Sequence, residues 1–367
     1  MKIFLLSQKN LKAIVICGLI LSLVILYSEL TPEMNLHGLV IQTVDRESPP
    51  LRKYRTYWVD MEPYITNNLK LYNSSRCSVP NCILANNISN ADIVVFSHRH
   101  IPKSTLNKRK GQIWIFYSAE SPYHTHRPNK EWMDRFDLSM SYMDDSDIHV
   151  PMYGKFQKRQ KILKRNYSGI LINKTKDAVW VSSHCVTPSR RENLVKELSK
   201  YLTVDTYGGC GNKKCGRQYD RLPKCQSLFE THYKFYFSFE NSICKQYTTE
   251  KLRNLFTHSA TLIPVINGPN DASRYIPKGT YINSQDFANA SSLAKELKRI
   301  GSNEAEYIRY LTEKDKYTCQ TVDKIVPSAQ CTLCKHLVDI GKGKKTRKNN
   351  SWFKILDPKL FCTVPKY

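Results

Sequence analysis

The sharpest apolar signal is an uncharged run at residues 13–27 (AIVICGLILSLVILY). It is shorter than the ~20 residues of a typical spanning helix, but Leu11 extends it and the stem of Lys12 can snorkel. Beyond it the apolar stretches are short and alternate with polar connectors. Residues 91–97 (ADIVVFS) and 112–118 (QIWIFYS) predict buried strands. Further strands are predicted at 177–183, 203–207, 260–266 and 281–283. Residues 233–239 are nearly continuous aromatic, which suits a strand buried on both faces of a parallel sheet. Helical spacing appears at Leu194, Val195, Leu198, Tyr201 and Leu202, behind a Ser189-x-x-Glu192 capping box. It recurs at Leu252, Leu255 and Phe256 behind Thr248 or Thr249, and at Leu293, Leu297 and Ile300. Residues 303–318 are charged and helical in pattern. The tail from 341 carries few signals until Trp352-Phe353, which can pack back onto the fold.

This pattern predicts an α/β chain with a β-α-β unit at 177–207 and room for two domains. We divide it into a tail (1–10), an anchor (11–27), a stem (28–50), a first domain (51–165), a second domain (166–338) and a C-terminal tail (339–367). The stretch 151–176 reads as the connection between the two domains.

Charge orients the anchor. Lys2, Lys9 and Lys12 precede the apolar run, and Glu29 and Glu33 follow it. The positive-inside rule then puts the N-terminus in the cytosol and the bulk of the chain on the far side of the membrane. A cleaved signal peptide is the competing reading, but no small-x-small site follows the run. Six sequons, at Asn73, Asn87, Asn166, Asn173, Asn289 and Asn349, suit that compartment. So do twelve cysteines, eleven of them beyond Cys17, an odd number that leaves at least one thiol unpaired within the chain. Cys210 and Cys215 are spaced for a small local disulfide. The net charge of +24 would suggest nucleic acid, but the topology excludes it. What remains is an anionic substrate or an anionic membrane surface. The basic blocks 155–165 and 342–348 read as solvated linker and tail.

Candidate chemistry gathers at strand ends, where open α/β sheets bind ligands. Glu120 lies just past the strand 112–118, and Glu240-Asn241 past the strand 233–239. Lys251 sits in the first turn of a helix, against the dipole, which makes sense if an anion is held there. Arg190 and Arg191 repeat that arrangement, so a diphosphate site is more plausible than either turn alone suggests. Asp145-x-Asp147 offers oxygen ligands for a divalent ion, although a loop-capping cluster explains it better.

The motifs make the resemblance specific. YKFYFSFENSICKQYTTEK resembles the donor signature of the α1,3-fucosyltransferases, YKFYLxFENSxxxDYITEK. GQIWIFYSAESP, FDLSMSYMDDSDI, Asn267-Gly-Pro and Cys331-x-x-Cys334 resemble further segments of that family, over roughly residues 77–335. The resemblance implies a GT-B-like architecture with two facing Rossmann-like domains behind an N-terminal transmembrane anchor. It implies transfer of L-fucose from GDP-β-L-fucose to the 3-hydroxyl of GlcNAc in N-glycans, with inversion. Glu120 aligns with the general base. Arg191 and Lys251 align with groups that neutralise the diphosphate, Asn241 and Tyr247 with donor hydrogen-bonding positions, and Glu250 with a carboxylate that binds fucose. Pairing of Cys77 and Cys82 with Cys331 and Cys334 is implied in the same way. So is a single-pass type II Golgi membrane protein with a lumenal catalytic part. No cofactor or metal is required, while cation stimulation and a homodimer stay open. Gln246 and Thr248 depart from the signature around Tyr247. The insert YGGCGNKKC resembles a loop of members that act on the innermost GlcNAc, which favours that acceptor slightly over N-acetyllactosamine. The alternative is a non-catalytic glycan- or polyanion-binding membrane protein on the same scaffold.

Overall fold

The computed structural model describes residues 52–151, 154–215, 221–269, 271–341 and 352–366. The expected tail, anchor and stem, the basic block 342–348 and Asn349 lie outside them. No helix of the described residues is long and apolar enough to cross a membrane.

Strands β1 (Tyr54–Val59), β2 (Cys82–Leu84), β3 (Ile93–Ser97), β4 (Ile113–Ser118), β5 (Leu138–Ser141) and β6 (Ile148–His149) form a parallel sheet in the order β2-β1-β3-β4-β5-β6. The central strands β3 and β4 are apolar almost throughout because helices and loops cover both faces of the sheet, as parallel sheets require. β7 (Phe156–Lys158) follows. A second parallel sheet contains β8 (Lys176–Val181), β9 (Val204–Tyr207), β10 (Tyr233–Phe237), β11 (Ile263–Ile266) and β12 (Ile282–Asn283), ordered β12-β11-β10-β8-β9. β13 (Tyr317–Cys319) pairs antiparallel with β7. The aromatic strand β10 therefore lies at the centre of the second sheet, where Phe235 and Phe237 join Leu194, Leu198, Leu293 and Leu297 in one core.

The helix Val322–Gly341 belongs by sequence to the second half, yet it packs on the first sheet. Ile325, Val326, Ala329, Leu333 and Leu337 share a core with Ile93, Val95, Ile115 and Met140. Gln330, fully buried on this helix, accepts from Trp58 Nε1 at 2.8 Å and donates to Thr56 Oγ1 at 2.7 Å. Disulfides Cys77–Cys331 and Cys82–Cys334 pin the same helix to the start of the fold.

Three local expectations change. Cys210 and Cys215 do not join each other; Cys210 pairs with Cys185, which follows the neighbouring parallel strand β8, and Cys215 pairs with Cys225 on the helix Arg221–His232. The Ser189 capping box does not form. Ser189 Oγ donates instead to the Glu240 carbonyl at 2.6 Å, the helix Arg191–Leu198 starts at Arg190, and Glu192 accepts from Thr187 Oγ1 at 3.0 Å. The basic stretch 155–165 is built into the fold as β7 and two anchoring arginines. Arg159 donates to Ser259 Oγ at 2.7 Å, and Arg165 to Asp315 Oδ1 at 2.9 Å. At the tail, Ile355 and Leu356 bury themselves in the first half while Phe353 stays exposed. Cys319 remains a buried thiol, its pKa pushed up to about 12 by burial.

Candidate functional site

The ends of β4 and β10 approach one another. Ser121, next to Glu120, donates to Ser242 at 2.9 Å, and both hydroxyls lie within 3.2 Å of His124 Nδ1. The motif serines therefore form a polar seam between the halves. Burial lowers the His124 pKa; Glu120 opposes that shift, while His184 and Arg191 add to it.

Glu120 is held from two sides. Arg99 Nη2 donates to Oε1 at 2.7 Å and Tyr247 Oη to Oε2 at 3.0 Å. The carboxylate lines a cavity of about 720 Å³ together with Glu62, Tyr64, His98, His126 and Glu250. Burial, with the neighbouring Arg99, His126 and His100 charges, drives the His98 pKa down to about 3, so that ring is neutral. Its Nδ1 accepts from the His126 backbone N–H at 3.0 Å.

A second cavity, of about 760 Å³, is lined by Arg191, Asn241, Glu250, Lys251, His184 and Lys214. Four of the five residues expected on the sugar-nucleotide side thus share one space. The fifth, Tyr247, does not line it. Tyr247 is buried, packed 5.3 Å from the Tyr142 ring, and points its hydroxyl at Glu120. Asn241 Oδ1 and Arg191 Nε are buried without hydrogen-bond partners, open valences aimed at no protein atom. The rest of the Arg191 guanidinium is engaged: Nη1 donates to the Phe239 carbonyl at 2.7 Å, and Nη2 to Ser182 Oγ and the His184 carbonyl. Only 3% of Arg191 is exposed, so it supplies mostly fixed charge.

Lys251 is where the sequence reading needs its largest addition. Its Nζ donates to Glu240 Oε2 at 3.1 Å, Thr249 Oγ1 at 2.8 Å and Glu250 Oε1 at 3.3 Å. The anion beside this helix start is supplied by the chain itself. The Glu240 side chain is 4% exposed, and its Oε1 also accepts the Thr249 backbone N–H at 2.7 Å. Burial works against the Lys251 charge, but Glu240 and Glu250 outweigh it and raise its pKa, so it stays protonated. Lys251 keeps 23% of its side chain exposed and can still serve a ligand. Glu250, 45% exposed, titrates below the usual carboxylate range: burial raises it, and Lys251 and Arg253 more than offset that.

The sequence marks the Glu240-Asn241 pair but not the task of Glu240, and it gives no sign of Arg99. Asp145 and Asp147 have structural partners: Lys245 Nζ donates to Asp145 at 2.9 Å, and Ser139 N and Oγ donate to Asp147. The insert 207–215 lies against the second cavity. Gly208 has φ +91°, and a Cβ there would sit 2.6 Å from the Ser182 carbonyl, so glycine allows the close approach. Of the sequons, Asn73, Asn87, Asn166, Asn173 and Asn289 are exposed. A larger cavity, of about 880 Å³, opens over the Cys77–Cys331 disulfide beside Lys70, Asn73, Arg76, Lys324 and Lys335, and shares no lining residue with the other two.

Comparison with known proteins gives the family and the fold. Residues 52–154 match the family described as "Fucosyltransferase, N-terminal", and residues 171–352 match "Glycosyltransferase family 10 (fucosyltransferase) C-term". Glycoprotein 3-alpha-L-fucosyltransferase A of Drosophila melanogaster is 33% identical over 253 residues, 65% of this chain and 48% of that protein. The 4-galactosyl-N-acetylglucosaminide 3-alpha-L-fucosyltransferase 9 of Mus musculus is 31% identical over 298 residues, covering 79% of this chain and 74% of the relative. Against the invertebrate relatives, the chain spans about half of their length. A crystal structure of an α1,3-fucosyltransferase with GDP shares the fold at a TM-score of 0.53 and 15% identity, covering 82% of this chain and 93% of that one. Two matched halves, running in sequence order through both sheets, place the chain in glycosyltransferase family 10, the fucosyltransferases.

Proposed function

We propose that this protein transfers L-fucose from GDP-β-L-fucose to the 3-hydroxyl of a GlcNAc residue, with inversion, on a GT-B-like pair of domains. The observation that carries this reading is the position of Glu250. It walls both the Arg191–Lys251 cavity and the Glu120 cavity, so a sugar beside it has the diphosphate groups behind it and the base in front. In this reading Glu120 accepts the proton of the acceptor hydroxyl as its oxygen attacks the anomeric carbon. The bond to the β-phosphate breaks on the opposite face, and GDP leaves. Lys251 donates to the diphosphate, the fixed charge of Arg191 stabilises it, and Asn241 Oδ1 accepts from a donor hydroxyl or amine. Glu250 lies where positive charge develops on the fucose ring.

For the acceptor we favour glycoprotein N-glycans, the innermost GlcNAc first. The names of the relatives offer two models, a glycoprotein for the Drosophila enzyme and a 4-galactosyl-N-acetylglucosaminide for the mouse one. The disulfides and the exposed sequons fit a lumenal protein, and we assign the anchor 11–27 to a type II Golgi topology. The test is incubation with GDP-fucose and, separately, chitobiose-core glycopeptide and N-acetyllactosamine. Transfer to one acceptor in at least about tenfold preference assigns the branch. Folded protein that transfers to neither refutes the proposal.

A further inference from the structure

The family match ends at residue 352, and the described residues beyond it, 353–366, form an arm packed on the loop that carries Tyr247. The arm starts in the first half. Ile355 and Leu356 are buried among Phe116, Tyr142 and Tyr247, and Arg127 Nη2 donates to the Leu356 carbonyl at 2.8 Å. Asp357 then caps the short helix Pro358–Phe361. Next the arm pairs antiparallel with the loop between β10 and the helix Glu250–Thr257. Lys245 N donates to the Phe361 carbonyl at 2.7 Å, Thr363 N donates to the Ile243 carbonyl at 2.8 Å, and Cys244 is joined to Cys362. Finally Lys366 Nζ donates to the Gln285 carbonyl, in the second half.

The loop so gripped, 242–248, carries Tyr247 to Glu120 and leads directly into Lys251. It contains a left-handed non-glycine residue, Gln246 at φ +60°, whose Oε1 accepts from the Asp144 backbone N–H at 3.0 Å. Such a conformation costs energy and persists where its surroundings over-determine it.

We propose that residues 352–366 form a covalent strap, with Cys362 its positioning residue, that holds loop 242–248 against the first half so that Tyr247 keeps Glu120 in place. This inference rests on the fucosyl-transfer reading for its consequence, but not for its structural content. The strap acts through Tyr247 rather than on a ligand.

The test uses the full chain carrying Cys244→Ser and Cys362→Ser together, which leaves no unpaired thiol at the site. Hydrogen exchange of amides 243–249 should accelerate by about tenfold, with β3 and β4 unchanged; unchanged exchange in the loop overturns the strap. For transfer, kcat should fall about tenfold while GDP affinity moves less than about twofold. In a Tyr247→Phe background the cysteine changes should add less than about twofold, because both act on one contact; effects that simply multiply overturn positioning through Tyr247. Should the cysteine variant fail to fold, Asp357→Ala, which loosens the arm and keeps the disulfide, should raise exchange in the same loop by about threefold, and no change there refutes the proposal. A wild-type chain that transfers no fucose refutes the function and leaves the exchange result to decide the strap.

Discussion

Tyr247 Oη donates a 3.0 Å hydrogen bond to Oε2 of Glu120, joining residues 127 positions apart and the two halves of the molecule. With Arg99 on the other carboxylate oxygen, the carboxylate is fixed in orientation by the protein alone. In the proposed role of base, a carboxylate set by two donors is pre-organised, and the contribution of each donor is separable by substitution. Glu120→Gln should lower turnover by about 10³-fold and leave GDP binding within about twofold, since the amide retains shape and loses basicity. Tyr247→Phe should cost about tenfold in kcat. Calorimetry for GDP and a radiolabelled-fucose assay check both, and a Glu120→Gln variant with undiminished activity would remove Glu120 as the base.

Glu240 predicts a stability effect. It is the buried partner of Lys251 and the acceptor for Thr249, so Glu240→Gln removes the closer and more buried of the two carboxylates that balance a part-buried ammonium. The expected loss is about 2–3 kcal/mol, towards the low end for a broken buried pair because Lys251 keeps some water. Denaturant unfolding measures it. A change under about 0.5 kcal/mol would mean that Glu250 alone holds Lys251.

Two buried lysines set the alkaline behaviour. Lys174 donates to the carbonyls of Glu230 and Tyr233, and Lys314 to those of Leu255 and Ala260. Burial lowers their pKa values to about 7 and about 8, against 10.5 when unfolded. Between those values the unfolded chain binds more protons than the folded one, so stability should rise from pH 7 to about 10. The rise should be roughly 6 kcal/mol in all, and Lys174→Met should remove about half of it. Asp205 works at the acid end. Burial raises its pKa, but Lys176, Lys213 and Tyr233 outweigh that and hold it at about 2. Its contribution is present above the unfolded value of 3.8 and is lost as pH falls through about 2. Melting temperatures across pH test both slopes.

The paired disulfides Cys77–Cys331 and Cys82–Cys334 close almost the same loop, with sequence separations of 254 and 252. While one remains, the other closes only a small ring. Serine replacement of either pair alone should therefore cost roughly 2.5 kcal/mol by chain entropy, and replacement of both roughly 8 kcal/mol. Equal and additive losses, read from denaturation of the three variants, would contradict this nesting.

How much of the molecule is legible in its sequence depends on where each signal resides. β3, β4, β10 and β11 announce themselves because strands in the middle of parallel sheets are apolar on both faces. β2 and β6 are three and two residues long and leave no pattern. Glu120 and Asn241 stand out because they sit just beyond legible strands. Arg99 and the partner of Lys251 do not, since an ion pair depends on which loops meet in space. Cys210 illustrates the same limit: its near neighbour Cys215 suggests a bond, and the return of the chain supplies Cys185 instead. The Ser189 box has the right residues, but Thr187 captures Glu192 and the Glu240 carbonyl captures Ser189. Arg159 and Arg165 look like solvated linker because charge counts carry no information about Ser259 and Asp315.

The helix Val322–Gly341 has a temporal meaning. A ribosome releases β1 to β6 long before it releases the helix Val322–Gly341, so the face bearing Ile93, Val95, Ile115 and Met140 must wait only partly covered, by Met61, Ile65 and Leu69, through the synthesis of the whole second sheet. The first sheet, begun earliest, is finished last. A nascent chain stalled before Val322 should need chaperones, and a fragment ending there lacks the helix that completes the core of its first sheet.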